Sequence, residues 1–563
     1  MLAPLPPDYW SAEAAAHLAL RAGFGQTPDE SKKWSQQGLE AMLNHLLQTP
    51  PDNAAPPEWA YPTRDEDLLQ RIRNPATTPE EKAQVQRDLN IRKSDHMADL
   101  INWWTLRMAR SPAPFVEKMT LFWHGHFATS ADKVSAYRMW LQNETIRRYA
   151  LSNFDTLLQA ISCDPAMLNW LDLGSSQKEH PNENFARELM ELFTLGEGHY
   201  TEDDVKAAAR SFTGYRVVGP AEQFRFVAGQ FDPSDKTFLG KTGPWRGDQI
   251  IEIILSQPQC AKFIATKLWR FFAYDDPTPP LVDALSDQLL RCKYELKPFM
   301  KIVLSSQEFF SSQARNSVIK SPVQFLVQGQ RTLGLPLPSG QSLVFIYRQL
   351  GQTPFYPPNV KGWDGGKSWI NTATLTYRYE LARELVYGVL PEQVGLPKAP
   401  SAIPTPSPIP AVNKTVAMEP SMEEMAMNAM NAMNGDPGGS MRVATEMNAS
   451  GLAKNLANTG TPAQTTPAPQ KRPEAQVVPP PAPTPPPRLT GGLPIGRFVS
   501  AEDRKDPRRV VEKLSLAIFQ ATPETALLEK FGKIAASKPL PFDDHAIREL
   551  ATLMMTTPNY QLC

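Results

Sequence analysis

Cysteine is scarce in this chain, with four in 563 residues. Cys163, Cys260, Cys292 and Cys563 lie far apart and form no CxxC pair, so neither a zinc ribbon nor a disulfide framework is indicated. No uninterrupted apolar run approaches the ~20 residues that span a bilayer. The first residues, MLAPLPPDYW, lack the charged and apolar regions of a signal peptide. The expected location is therefore cytoplasmic by default, unless the protein leaves by another route. An excess of one charge is also missing. The 58 Lys and Arg nearly cancel 59 Asp and Glu, for a net charge of -1, which argues against a generic electrostatic grip on nucleic acid.

Aromatic residues are absent from one long stretch. The chain carries 12 Trp, 14 Tyr and 25 Phe, yet none of them falls between Tyr387 and Phe498. Proline is abundant, at 55 residues, and 20 of these lie between Pro397 and Pro494. Such a segment has too little apolar surface to offset the entropy of ordering it, and residues 396–496 are expected to be a disordered, Pro- and Met-rich insertion. Eight methionines fall between Met418 and Met447. Met422-x-x-Met425 and Met427-x-x-Met430-x-x-Met433 have a thioether spacing that can hold Cu(I) or form an adaptable partner-binding helix, although biased composition without a role explains them as well.

The rest reads as helix. Thr27-Pro28-Asp29-Glu30 and Thr78-Pro79-Glu80-Glu81 each combine a Thr cap, a proline at the first helical position and an acid at the third. Thr201–Asp204 and Ser500–Asp503 repeat the cap without the proline. Apolar residues follow at helical spacing, as in Met97, Leu100, Ile101 and Trp104. Tyr215–Val218, Gly219-Pro220 and Phe224–Val227 read instead as a short β-hairpin. The expected fold is mostly α: a large multi-helix domain over 1–395 with a small β-hairpin excursion, the long insertion, and C-terminal helices over 497–563 that dock back on the main domain.

Three segments can carry chemistry. In Phe122–Phe127, His124 and His126 share a side only if Gly125 ends a helix and lets the second histidine swing round; they are then candidate ligands for a divalent metal. The alternative is a pair of core histidines. In Asn182–Phe193, helical projection puts Glu183, Asn184, Arg187, Glu188 and Glu191 on one face. That face is either a solvated row of ion pairs or the wall of a cleft in which Glu188 and Glu191 join the histidines. The third segment, Gly351–Trp369, mixes proline, glycine and aromatics. It predicts an ordered, packed loop, with Asn359, Lys361, Trp363 and Trp369 as candidate binding residues.

Several of these runs occur together in a known pattern. His17-Leu18 with Arg21–Gly25, FWHGHFATS (Phe122–Ser130), DPAMLNWLD (Asp164–Asp172), NENFARELMELFTLGEGHYTEDDV (Asn182–Val205), AARSFTG (Ala208–Gly214) and PPNVKGW (Pro357–Trp363) resemble the bacterial family called domain of unknown function 1800. The resemblance covers most of Leu2–Tyr387 and is closed by the C-terminal helices. It implies no activity, since the family has none assigned. Its members are often encoded beside proteins similar to the alkaline-phosphatase and sulfatase superfamily, some of them exported, which implies a partner protein of that kind. Where relatives carry a His-Asp pair, this chain reads Gln230-Phe231-Asp232, which puts any role of that histidine in doubt.

Two functional expectations follow. One is an enzyme, hydrolytic or oxidative, with a His/Glu cleft: His124, His126 and Glu188 or Glu191 as metal ligands, a remaining carboxylate of the Glu183, Glu188 and Glu191 set as general base, and Arg187 as an anion clamp. The other is a non-catalytic binding or assembly protein whose polar residues form structural networks.

Overall fold

Local capping sets where the helices begin. Thr27, Thr78 and Thr201 each accept the backbone N–H of the residue three positions on, and the Glu30, Glu81 or Asp204 carboxylate reaches back to the cap's own N–H. The computed structural model describes residues 2–48, 57, 60, 65–219, 222–388 and 491–563, all within one compact unit. Apart from 491–496, the expected insertion and its methionine pairs lie outside the described residues.

Among the described residues the helices run in this order. The first third holds α1 (Ala12–Gly23), α2 (Pro28–Gln37), α3 (Leu39–Leu46), α4 (Glu66–Arg73), α5 (Pro79–Arg110), α6 (Pro114–His126) and α7 (Ala136–Tyr149). Next come α8 (Phe154–Ser162), α9 (Pro165–Trp170), α10 (Glu183–Glu191) and α11 (Glu202–Ser211). After two hairpins follow α12 (Gly247–Leu255), α13 (Pro258–Phe272), α14 (Pro279–Arg291), α15 (Leu296–Leu304), α16 (Pro322–Leu333), α17 (Gly340–Leu350) and α18 (Thr372–Tyr387). The last three are α19 (Pro507–Phe519), α20 (Thr525–Ala536) and α21 (Asp544–Met555). The β structure is small, as expected: β1 (Tyr215–Val218) pairs antiparallel with β2 (Gln223–Phe226), and β3 (Lys236–Phe238) with β4 (Lys241–Gly243). Tyr215 lies opposite Phe226 and Val218 opposite Gln223.

Two apolar cores share helix α6. Phe115, Met119 and Trp123 belong to the first, with Phe154, Phe185, Leu189, Phe193 and Trp269. Leu121 belongs to the second, with Trp104, Val323, Tyr347, Phe355, Leu381, Leu514 and Ile547. Residues 491–563 thus contribute to the same core as α5, α16 and α18. Leu493 N–H donates to the Val386 carbonyl at 2.8 Å, which puts the two ends flanking 389–490 side by side.

A buried ion-pair network ties α5, α6 and α7 together. The Glu117 carboxylate is 2 % exposed. It accepts from Trp104 Nε1 (3.0 Å), Arg107 Nε (2.9 Å) and Arg147 Nε and Nη2 (2.8 and 3.1 Å). Burial works to raise its pKa, but the Arg147 and Arg107 charges and the Trp104 bond outweigh it and hold the carboxyl below its ordinary value.

Candidate functional site

Helix α6 runs through Gly125 to His126. The expected swing of His126 does not occur, and two residues at ~100° each leave the histidines on nearly opposite faces. His124 faces the second core. Its Nε2 accepts the Phe355 N–H at 3.0 Å, and its ring meets Trp104, Phe355 and Trp363 at centroid separations of 5.0, 5.0 and 5.9 Å. His126 faces the first core, with Nε2 3.1 Å from the Phe193 carbonyl and Nδ1 3.2 Å from Lys267 Nζ. Nε2 therefore donates and Nδ1 accepts, so both nitrogens are used. Burial drives the His124 pKa down to about 3, and burial plus the Lys267 charge drives that of His126 well below its ordinary value. Both rings are neutral at pH 7. Burial also brings Lys267 down to about 8.

Helix α10 starts at Asn182, whose side chain caps the Asn184 N–H, and it buries Phe185, Ala186, Leu189 and Met190. Its polar face divides in two. Arg187 makes a bidentate pair with Glu202 of α11 at 2.7 and 2.8 Å, and lies 3.6 Å from Glu183. Glu188 and Glu191 stand apart from that cluster. Tyr200 donates its hydroxyl to Glu191 Oε2 at 3.0 Å. Glu188 is half-buried, with no hydrogen bond or ion pair from its carboxylate to any described residue. Burial first, and then the neighbouring Glu191 charge, push its pKa up, against the weaker pull of Arg187 and Lys361.

The packed loop reaches the same place. Asn359 accepts the Lys361 N–H through Oδ1 (2.9 Å) and the Gly362 N–H through its carbonyl (3.1 Å), closing a tight turn. Gly362 sits at φ +84°, and a Cβ there would lie 2.3 Å from the Gly125 carbonyl oxygen. Only glycine permits both the conformation and that approach. The contact holds the loop against α6 and delivers Lys361 to Glu188 and to Glu197, whose Oε1 is 3.8 Å from Nζ.

Several expected roles change. His124 and His126 point into different cores and do not form a ligand set with Glu188 and Glu191. Among the described residues no group of three or more His, Cys, Asp and Glu side chains is placed to hold a metal ion. Trp369 is buried, at 7 % exposure, and offers no stacking face, whereas Trp363 is half-buried. Arg187 and Glu183 are committed to ion pairs. Asp232, in the Gln230–Asp232 segment, binds Arg210 Nε at 2.7 Å and caps the Ser234 N–H. Burial raises its pKa, but the Arg210 and Ser234 bonds prevail and hold it at about 2.

The candidate site therefore brings together Glu188, Glu191 and Tyr200 from Asn182–Val205 and Lys361 from Pro357–Trp363. The sequence profile described as "Protein of unknown function (DUF1800)" matches residues 17–562. The chain belongs to the DUF1800 family. No curated protein and no solved structure matches it. No helix among the described residues of this DUF1800 protein is long and apolar enough to cross a membrane.

Sequence reasoning did not single out Tyr200 or Lys267. Tyr200 follows a turn hinged by Gly196 and Gly198, both at positive φ, and no spacing rule predicts that its hydroxyl returns to Glu191. Lys267 sits on α13 among apolar residues, where a lone lysine reads as a solvated position.

Proposed function

We propose that this DUF1800 protein is an enzyme of the hydrolytic type, acting by general acid–base catalysis at the α10 face. Glu188 serves as the proton donor, Glu191, positioned by Tyr200, as the base that activates water, and Lys361 as the cation that holds an anionic part of the substrate. The observation that carries this reading is the state of Glu188: a half-buried carboxyl, raised by burial and by a second carboxylate, with no hydrogen bond or ion pair to any described residue. A carboxyl raised by burial, beside a second carboxylate that a tyrosine hydroxyl orients, is an arrangement suited to acid–base chemistry.

The test is a substrate panel of phosphate, sulfate and carboxylic esters and glycosides. Turnover of at least one class is expected in the native protein, falling about 10²–10⁴-fold in Glu188→Gln. Turnover that survives both Glu188→Gln and Glu191→Gln would place the chemistry elsewhere.

A second reading is favoured by the histidines and Glu117, all bonded into cores. In it the polar residues hold together a non-catalytic assembly protein, whose partner is similar to the alkaline-phosphatase and sulfatase superfamily. That reading expects Glu188→Ala to unfold the protein, and expects no turnover of any ester.

A further inference from the structure

A polar cavity of about 440 Å³ shares no residue with the α10 face. It opens between α1, α2 and α3, the C-terminal end of α5, and α16. Its polar lining includes Arg110, Arg331, Arg497, His45, Gln26 and Glu30. Gly25 forms part of the wall at φ +89°, where a Cβ would lie 2.7 Å from Thr332 Cγ2.

The three guanidiniums differ in what they already do. Arg331 is half-buried. Its Nη1 lies 3.4, 3.1 and 3.2 Å from the Met108, Ala109 and Ser111 carbonyls, and its Nε 3.5 Å from that of Gly25. It caps the C-terminal carbonyls of α5, whose partial negative charge would otherwise repel an anion. Its Nη2 donates to no described residue. Arg110 and Arg497 are exposed and form no ion pair with any described residue. Glu30, the one carboxylate among the described residues of the lining, already accepts the Thr27 N–H (2.7 Å) and hydroxyl (2.8 Å) in the α2 capping box. His45 rests on the Trp34 ring at 5.1 Å, which narrows one side of the cavity.

We infer that this cavity binds a small phosphoryl-bearing molecule. Three planar donor groups around one polar cavity suit the oxygens of a phosphoryl group, which accept from guanidinium in paired bonds. The volume falls in the range of small-ligand sites. Arg331 supplies the fixed donor, while Arg110 and Arg497 close on the ligand from the rim.

Pyrophosphate is the test ligand, measured by calorimetry on the full chain, with citrate as a control of similar charge. Because Arg331 also caps α5, the informative variant is R110Q/R497Q, which removes no ion pair and should melt with the native protein. Saturable pyrophosphate binding is expected, with affinity at least about tenfold lower in R110Q/R497Q, the loss of roughly one charge-assisted contact. No pyrophosphate binding at millimolar concentration, equal binding by the variant, or citrate binding as tight as pyrophosphate would each overturn the assignment.

Discussion

Glu117 and Glu188 are both glutamates on helices, withdrawn from water, and the protein treats them in opposite ways. Glu117 is surrounded by two arginines and an indole N–H, and its charge is held. Glu188 is given a second carboxylate as neighbour and no bonded cation, and its charge is opposed. A carboxylate placed for stability looks like the first. The second costs stability where it stands, which is the expected mark of a group retained for what it does.

The largest test of this contrast is at Glu117. Glu117→Gln takes away the buried carboxylate that Arg147 and Arg107 share and leaves both beside the half-buried Glu144; removing one member of a buried pair costs about 3–5 kcal/mol, and the lower end is expected here. Urea denaturation should show that loss. A change below about 1 kcal/mol would mean that the network is not what joins α5, α6 and α7.

The next effect is one of pH. His17 and His124 are held at about 3, and His126 well below its ordinary value, chiefly by burial. Their folded pKa values lie below the unfolded value near 6.5, so between those limits the unfolded chain binds more protons. The stability that depends on these three rings is complete above pH 6.5 and falls as the pH drops toward 3, by up to about 1.4 kcal/mol per unit for each ring. His124→Gln keeps an acceptor for the Phe355 N–H and cannot gain a proton. It should flatten the pH dependence of the urea midpoint between pH 6.5 and 4, and an unchanged slope would show that His124 does not take part.

Much of the fold was legible because its signals are local. The Thr27, Thr78 and Thr201 caps lie within four residues of the groups they satisfy, and the Tyr215–Phe226 hairpin needs only alternation and a turn. The site was less legible, because Gly125 misled. Glycine in a helix costs only about 1 kcal/mol, and burial of Phe122, Trp123 and both histidines carries α6 past it. What fixes the local geometry is Gly362, 237 residues further on, pressed against the Gly125 carbonyl. The α10 face was visible as a row of charges. Its division into a paired half (Glu183, Arg187) and an unpaired half (Glu188, Glu191) depends on Glu202 and Tyr200, which reach it from beyond the helix.

The paired half gives the smallest expected effect. Arg187→Ala breaks a partly exposed pair with Glu202 and should cost no more than about 1 kcal/mol, less at high salt. A loss of several kcal/mol would make the α10–α11 contact structural in the manner of Glu117.

The most direct measurement is the urea midpoint of Glu188→Gln against the native protein at pH 7. If Glu188 is kept for chemistry, Glu188→Gln takes away a carboxyl whose ionised form is opposed by burial and by Glu191, and the variant should be as stable as the native protein or up to about 2 kcal/mol more so. A loss of 3 kcal/mol or more, like that expected at Glu117, would contradict the account and make Glu188 part of the framework.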